Sequence, residues 1–138
     1  MHEEDPLIET SEELRDYKFF CFNGNVKCFK VDFDRFVNHK ANYFNRSKEL
    51  LPFGECECLP DYYRKLWLPD SLDEMILLAE KLSSNYRFLR VDFYDVQGHI
   101  YFGELTFYPA SGLGKFEPEE WDLILGSWLD LNGNSRLP

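Results

Sequence analysis

Two stretches in which apolar and polar residues alternate each surround a tight turn, and both predict β-hairpins. In the first, aromatic and β-branched residues over positions 17–31 flank Asn23-Gly24-Asn25, and an Asn-Gly between such runs is typical of a hairpin turn. In the second, over positions 88–108, the turn falls at Val96-Gln97-Gly98. The pattern therefore predicts four strands in two antiparallel pairs.

Two further stretches carry apolar residues at helical spacing. The first follows Pro69, where Ser71 and Glu74 form the pattern of a capping box; its apolar stripe is Leu72, Met75, Ile76, Ala79 and Leu82. The second is predicted over residues 119–131 after Pro118, with a stripe of Trp121, Leu125, Trp128 and Leu129.

Strands and helices that follow one another without βαβ alternation predict an α+β domain, with helices packed on a mostly antiparallel sheet. Residues 36–69 are aromatic and rich in turn formers, and we expect a long ordered excursion with little regular structure there. We expect residues 1–15 to be a leader or the remainder of a hinge, residues 16–131 to form the domain, and residues 132–138 to be a tail.

Composition limits the classes of partner. The 138-residue chain has 15 basic and 25 acidic side chains, a formal charge of −10, which argues against nucleic acid and against an anionic membrane surface. No apolar run approaches the ~20 residues of a membrane span, and the acidic start is unlike a signal peptide. We expect a cytoplasmic protein that does not span a membrane and whose four cysteines are reduced thiols.

Strand periodicity predicts that the charged side chains of the second hairpin share one face. Even positions carry Arg90 and Asp92 on one strand, and Glu104 and Thr106 on the other. A two-residue turn would separate Asp92 from Glu104, so we expect a three-residue loop with a bulge at Gly98. That loop would pair Arg90 with Glu104 and place Asp92 diagonally across, ~7–8 Å away at the backbone.

Two carboxylates and a hydroxyl oxygen on one face suit Mg²⁺, which prefers hard oxygen ligands and phosphate. The neighbouring Arg90 could neutralise a transferring phosphoryl group. The same residues also fit an ordinary ion pair between Arg90 and Glu104 on a solvated face. The pattern alone leaves both interpretations open.

The residues Arg90-Val91-Asp92 followed by Glu104-Leu105-Thr106 resemble the carboxy-terminal metal motif of ATP-grasp enzymes, in which an Arg-x-Asp strand precedes a Glu-x-Asn strand. Further blocks resemble the TupA-like ATP-grasp family more closely, at residues 16–24, 32–36, 102–109 and 118–122. The family is associated with cell-surface polysaccharide biosynthesis, and its members are often labelled glycosyltransferases. The resemblance implies an ATP-grasp carboxy-terminal lobe with ATP and Mg²⁺ as cofactors.

It also implies a reaction in which ATP phosphorylates a carboxylate and a nucleophile on a small-molecule or polysaccharide acceptor attacks the acyl-phosphate. The implied metal ligands are Asp92, Glu104 and Thr106, with threonine in place of the usual Asn. The implied phosphate-facing cations are Arg90, Lys18 and Arg35. ATP-grasp proteins hold ATP between two lobes, so we expect this chain to be part of a longer enzyme that also has an amino-terminal lobe.

Two other functions stay open. Asp32-Phe33-Asp34 matches the Asp-x-Asp pattern that chelates Mn²⁺ in metal-dependent glycosyltransferases. A non-catalytic interaction module is the second alternative, with residues 43–67 as its surface. Of the histidines, we expect His99 to be a solvated turn residue, whereas His39 could meet substrate or stack in the aromatic excursion.

Overall fold

The computed structural model describes residues 15–34, 38–56 and 58–107, and the backbone of residues 116–117. The strands are β1 (Asp16–Phe22), β2 (Asn25–Phe33), β3 (Lys40–Asn45), β4 (Gly54–Glu55), β5 (Phe88–Val96), β6 (His99–Thr106) and β7 (Phe116–Glu117), and the helix is α1 (Leu72–Leu82). The second predicted helix, over residues 119–131, lies outside the described residues.

Five of the strands form one antiparallel sheet in the order β3-β2-β1-β5-β6, and β4 pairs with β7 in a separate two-stranded sheet. The two predicted hairpins are β1–β2 and β5–β6, and pairing of β1 with β5 joins them. An antiparallel sheet with a helix packed on it confirms the predicted α+β class. Within the described residues, no helix has the length and apolar character needed to cross a bilayer.

Both hairpins close with two-residue turns, at Asn23-Gly24 and Gln97-Gly98. All four turn residues have positive φ, of 54°, 82°, 55° and 87° in chain order, as a type I′ turn requires. The three-residue loop predicted for the second hairpin is therefore wrong, because Val96 pairs directly with His99.

A bulge further along each hairpin changes the register by one residue. In β5–β6, Phe93 pairs with Phe102 but Asp92 pairs with Glu104, so that Gly103 is the extra residue. In β1–β2, Cys21 pairs with Val26 and Phe20 pairs with Cys28. Because side chains alternate between the faces of a strand, a one-residue shift moves every later side chain to the other face.

Helix α1 covers one face of the sheet. Its buried residues Leu72, Met75, Ile76 and Ala79 pack on an apolar cluster from β1, β2, β3 and β5 that includes Phe19, Phe29, Val91 and Phe93. Burial of each large apolar side chain contributes ~1.5–3 kcal/mol, so this layer is the main core. Two details of the helix prediction are wrong: Leu82 is 44% exposed, and the Ser71 hydroxyl donates to Asp95 rather than capping the helix.

The opposite face carries a smaller aromatic cluster of Phe20, Phe22, Cys28, Tyr43 and Phe53. Part of this cluster comes from the excursion over residues 36–69, which is more regular than predicted. Strand β3 forms an edge of the main sheet, and β4 follows it in the chain. The consecutive residues Tyr43 and Phe44 of β3 are buried on opposite faces. The rest of the described excursion is irregular, as expected.

All four cysteines are free thiols. Cys21 and Cys28 are buried on opposite faces of the sheet, and burial raises the pKa of the Cys21 thiol to about 12. These two side chains therefore act as small apolar residues in the packing.

Candidate functional site

Charged side chains cross the sheet on the face opposite α1. Lys18 of β1 pairs in register with Lys30 of β2 on one side and with Asp92 of β5 on the other. Asp92 in turn pairs with Glu104 of β6. One line across four strands therefore reads Lys30, Lys18, Asp92, Glu104, and its members lie on a common face.

Arg90 binds both predicted metal carboxylates. Its Nε and NH2 groups donate to the two oxygens of Asp92, each at 2.9 Å, and NH2 also donates to Glu104 at 3.3 Å. A bidentate guanidinium–carboxylate pair is among the stronger polar contacts in proteins. The pairing differs from the prediction, since Arg90 lies opposite Thr106 and Asp92 lies directly opposite Glu104.

Asp92 is the buried member of this group. Its side chain is 5% exposed, whereas that of Glu104 is 63% exposed. Burial raises the pKa of Asp92, although the charges of Arg90 and Lys18 oppose that rise. Burial therefore disfavours the ionised form of this carboxylate, and the contacts with Arg90 and Lys18 offset only part of that effect.

Lys18 lies on the same face. Its ammonium group forms an ion pair with Asp16 and lies 3.8 Å from a carboxylate oxygen of Asp92. Thr106 is half-buried two residues beyond Glu104 on β6. Arg35, the remaining predicted phosphate-facing residue, lies outside the described residues.

A second polar cluster, which we call the β2–β4 cluster, occupies the same face on the other side of Lys18. Lys30 Nζ lies 2.7 Å from Glu55 Oε2 and 3.6 Å from Asp32 Oδ1. The Tyr43 hydroxyl donates to Glu55 at 2.5 Å, and His39 Nε2 lies 3.4 Å from Asp32 Oδ2. Burial lowers the pKa of Lys30, but the charges of Asp32 and Glu55 outweigh it and raise that pKa overall.

Two members of this cluster, Tyr43 and Glu55, were not predicted from the sequence. They belong to the excursion over residues 36–69, for which no strands were predicted. The signal that could have found them is the alternation of polar and apolar residues at Lys40-Ala41-Asn42-Tyr43-Phe44-Asn45.

The two aspartates of the Asp-x-Asp pattern have different partners. The Asp34 carboxylate accepts two hydrogen bonds from Arg64, at 2.7 and 3.1 Å, and this contact lowers the pKa of Asp34. Asp32 instead faces Lys30 and His39. In this arrangement the two carboxylates therefore have separate partners. His99, as expected, is exposed beside its turn.

The donors on this face fit a magnesium ion. Among the described residues, Asp92 and Glu104 offer carboxylate oxygens side by side on this face, next to the cations Arg90 and Lys18. Among the residues that the structure describes, no three His, Cys, Asp or Glu side chains surround a common metal position. Two carboxylates match the way Mg²⁺ binds when phosphate oxygens and water complete its shell.

The family is shown by comparison with known proteins. The family model described as TupA-like ATPgrasp matches residues 1–130 of this 138-residue chain. No curated protein and no solved structure matches the chain significantly. The matched range contains both hairpins and every charged residue of the face described above, and the chain belongs to the TupA-like ATP-grasp family.

Proposed function

We propose that the charged face forms one wall of an ATP-grasp active site, in which ATP phosphorylates a substrate carboxylate and an acceptor nucleophile then attacks the acyl-phosphate. Asp92, Glu104 and Thr106 are the proposed Mg²⁺ ligands. Lys18 and Arg90 are the proposed phosphate-facing cations, together with Arg35. The observation that carries the proposal is the direct pairing of Asp92 with Glu104 under one guanidinium.

When bound, Mg²⁺ neutralises and positions phosphate oxygens. The protein's own residues prepare this site in two ways. Asp92 is buried and is held in direction by Arg90. Glu104 is exposed on the neighbouring strand. Asp92 and Glu104 would together supply carboxylate oxygens to a Mg²⁺ ion.

In this proposal Arg90 contacts the two carboxylates when the site is empty and the phosphoryl group when nucleotide is bound. Without nucleotide, its guanidinium bridges the two carboxylates and offsets their repulsion. If Mg²⁺ were held by Asp92 and Glu104, its charge would offset that repulsion, and Arg90 would be available to face a transferring phosphoryl group. Lys18 keeps a fixed positive charge beside Asp92 during this exchange.

The wider role that we propose is in cell-surface polysaccharide biosynthesis, with a small molecule or a polysaccharide as acceptor. Its support is the family to which the chain belongs and the oxygen-rich, phosphate-compatible character of the face. The described sheet and helix would supply one side of the nucleotide cleft, and a second lobe would supply the other.

The proposal is tested by calorimetric titration of the chain with ADP, with and without Mg²⁺. We expect Mg²⁺-dependent binding that Asp92→Asn or Glu104→Gln weakens at least tenfold, or about 1.4 kcal/mol. Asp73→Asn is the matched control, because Asp73 lies on α1 with its side chain 74% exposed. Equal binding by the parent and either site variant, or no binding by the parent, would contradict the site assignment.

A further inference from the structure

Two tyrosines lie beside the proposed metal carboxylates on the charged face. Side chains alternate along β5, so Tyr94 lies on the same face as Asp92, two residues or ~7 Å away along the strand. Tyr101 of β6 pairs directly with Tyr94, and directly opposite residues of an antiparallel pair share a face. We call Tyr94 and Tyr101 the tyrosine pair.

The bulge in β6 brings Tyr101 to this face. Leu105 pairs with Val91, which belongs to the core under α1, and uninterrupted alternation would place Tyr101 on the same side as Leu105. The extra residue Gly103 moves Tyr101 to the charged face instead. Bulges next to functional sites commonly redirect a side chain in this way.

The tyrosine pair offers an aromatic surface next to a carboxylate. Tyr101 is 54% exposed, and Tyr94 is half-buried. The Tyr94 ring packs over the bulge, because a Cβ added to Gly103 would lie 3.0 Å from Tyr94 Cε2. Glycine therefore leaves room for the ring one residue before Glu104, whose side chain is 63% exposed.

These groups match a ligand that has an apolar face and a hydroxyl-bearing edge. Aromatic rings pack against apolar C–H groups and carry, in tyrosine, a hydroxyl that donates and accepts. A carboxylate has about four lone-pair sites, so Glu104 can accept from a hydroxyl with a lone pair that a metal leaves free. A pyranose ring has this combination, with C–H groups on its face and hydroxyls around its edge.

A nucleotide base fits this position less well. The base of a nucleotide is separated from the terminal phosphates by the ribose and a further phosphate. Terminal phosphates held at Asp92 and Glu104 would place the base beyond Tyr94, which is only ~7 Å from Asp92 along β5. The spacing leaves room for a single sugar unit beside the metal carboxylates.

We propose that the tyrosine pair holds a pyranose ring of the acceptor, with one of its hydroxyls bonded to Glu104. This inference rests on the proposed function, in which the acceptor is a small molecule or a polysaccharide. The ring on the tyrosine pair is then the sugar unit nearest to the reacting group. Tyr94 and Tyr101 position the acceptor and take no part in the chemical step.

The inference is tested by NMR titration of the whole chain with two neutral sugar probes, methyl glucoside and methyl galactoside. We expect saturable shifts of the backbone amides of Tyr94, Tyr101 and Gly103 with at least one of the two. The shifts should occur with and without Mg²⁺ and ADP. Glycerol, which has hydroxyls but no ring, is the ligand control and should not produce them.

Three variants show whether the aromatic ring is responsible. Tyr101→Thr removes the ring but keeps a β-branched residue in the strand, and we expect it to weaken the sugar response about fivefold. Tyr101→Phe keeps the ring and should retain most of the response. Tyr63→Thr is the matched control, because Tyr63 is 82% exposed in the excursion and lies outside the tyrosine pair.

Intact Mg²⁺-dependent ADP binding with no saturable response to either sugar would overturn this inference alone. An undiminished response in Tyr101→Thr, or a stronger response of the same amides to adenosine, would also overturn it. Sugar binding at the tyrosine pair without Mg²⁺-dependent ADP binding would support the sugar site and contradict the proposed function.

Discussion

Arg90 is the central residue of the candidate site, because it contacts the carboxylates of Asp92 and Glu104 at once. Its bonds of 2.9 Å to Asp92 and 3.3 Å to Glu104 put a positive charge between two negative ones. In the proposed function the guanidinium competes with a metal before nucleotide binds and assists the phosphate afterwards. Competition by Arg90 weakens the binding of Mg²⁺, whereas its contact with phosphate strengthens the binding of nucleotide, so substitution of Arg90 should change the two affinities in opposite directions.

Arg90→Gln should therefore strengthen the binding of Mg²⁺ alone and weaken the binding of ADP in saturating Mg²⁺. We expect about tenfold in each direction, or about 1.4 kcal/mol. Calorimetric titration measures both. Arg46→Gln, which breaks an Arg–Glu pair outside this face, should change neither affinity. A variant in which both affinities fall would mean that Arg90 only supports the local structure.

At the residue scale, the sequence predicted the composition of the site better than its contacts. Arg90, Asp92 and Glu104 lie on one face, as periodicity led us to expect, and pairing of β1 with β5 places Lys18 on the same face. Their roles stay predictions. The contacts between these residues could not be predicted. Asp92 pairs directly with Glu104 only because of the bulge in β6, and the alternation of polar and apolar residues does not reveal that bulge.

The element that corrects the register is the bulge in β6. Without it, the two-residue turn at Gln97-Gly98 would place Asp92 and Glu104 on opposite faces. Gly103 is the extra residue, and an added Cβ there would lie 3.0 Å from the Asp92 carbonyl oxygen and 3.0 Å from Tyr94 Cε2. The backbone oxygen cannot yield as a flexible side chain can, so glycine is favoured at this position.

Gly103→Ala should lower the free energy of unfolding by about 1–2 kcal/mol, as crowding of a packed site commonly does. It should also weaken Mg²⁺-dependent ADP binding, because the Asp92–Glu104 pairing shifts. Urea denaturation and calorimetry give the two values. Gly98→Asn is the control: the turn has positive φ, which Asn tolerates, and nothing lies within 4 Å of an added Cβ. Full ADP binding by Gly103→Ala would show that the bulge does not set the site.

Helix α1 is held to the sheet by a polar contact as well as by its apolar stripe. Glu80 accepts a hydrogen bond from the Val26 amide at 2.9 Å and two from Arg46, at 2.9 and 2.8 Å. The Arg46 contact first, and the Val26 amide after it, lower the pKa of Glu80 despite burial. A lowered pKa means that the ionised form stabilises the fold above the ordinary glutamate value and that this contribution is lost as pH falls.

Glu80→Gln should accordingly cost about 0.5–1 kcal/mol of stability at pH 7. Gln keeps an oxygen that can accept from the Val26 amide, so the loss of stability measures the contribution of the Glu80 charge. As pH is lowered through the depressed pKa of Glu80, the parent and the variant should converge. Urea denaturation at several pH values tests this, and a difference that stays constant with pH would refute the electrostatic explanation.

At the scale of elements, both hairpins and α1 could be predicted because each carries its own local signal. The tight turns are marked by Asn-Gly and Gln-Gly, and the helix by apolar residues at positions 72, 75, 76 and 79. Strand β3 was not predicted, although residues 40–43 alternate between polar and apolar. Its stability comes from long-range pairing, which local propensity does not report.

Across the described sheet, one face is apolar and covered by α1, while the other carries carboxylates paired with Lys18, Lys30 and Arg90. Sequence composition gave the total charge and excluded nucleic acid as an expected partner. Convergence of the charges required the sheet order β2-β1-β5-β6.

The measurement that tests the central claim most directly is backbone-amide NMR of the chain with ADP and trace Mn²⁺, which broadens signals near the ion. We predict broadening centred on Arg90, Asp92 and residues 104–106, and its loss in Asp92→Asn. Broadening around Asp32 and Asp34 instead would favour a metal-dependent glycosyltransferase. No localised broadening would contradict the assignment of an ATP-grasp metal site to this face.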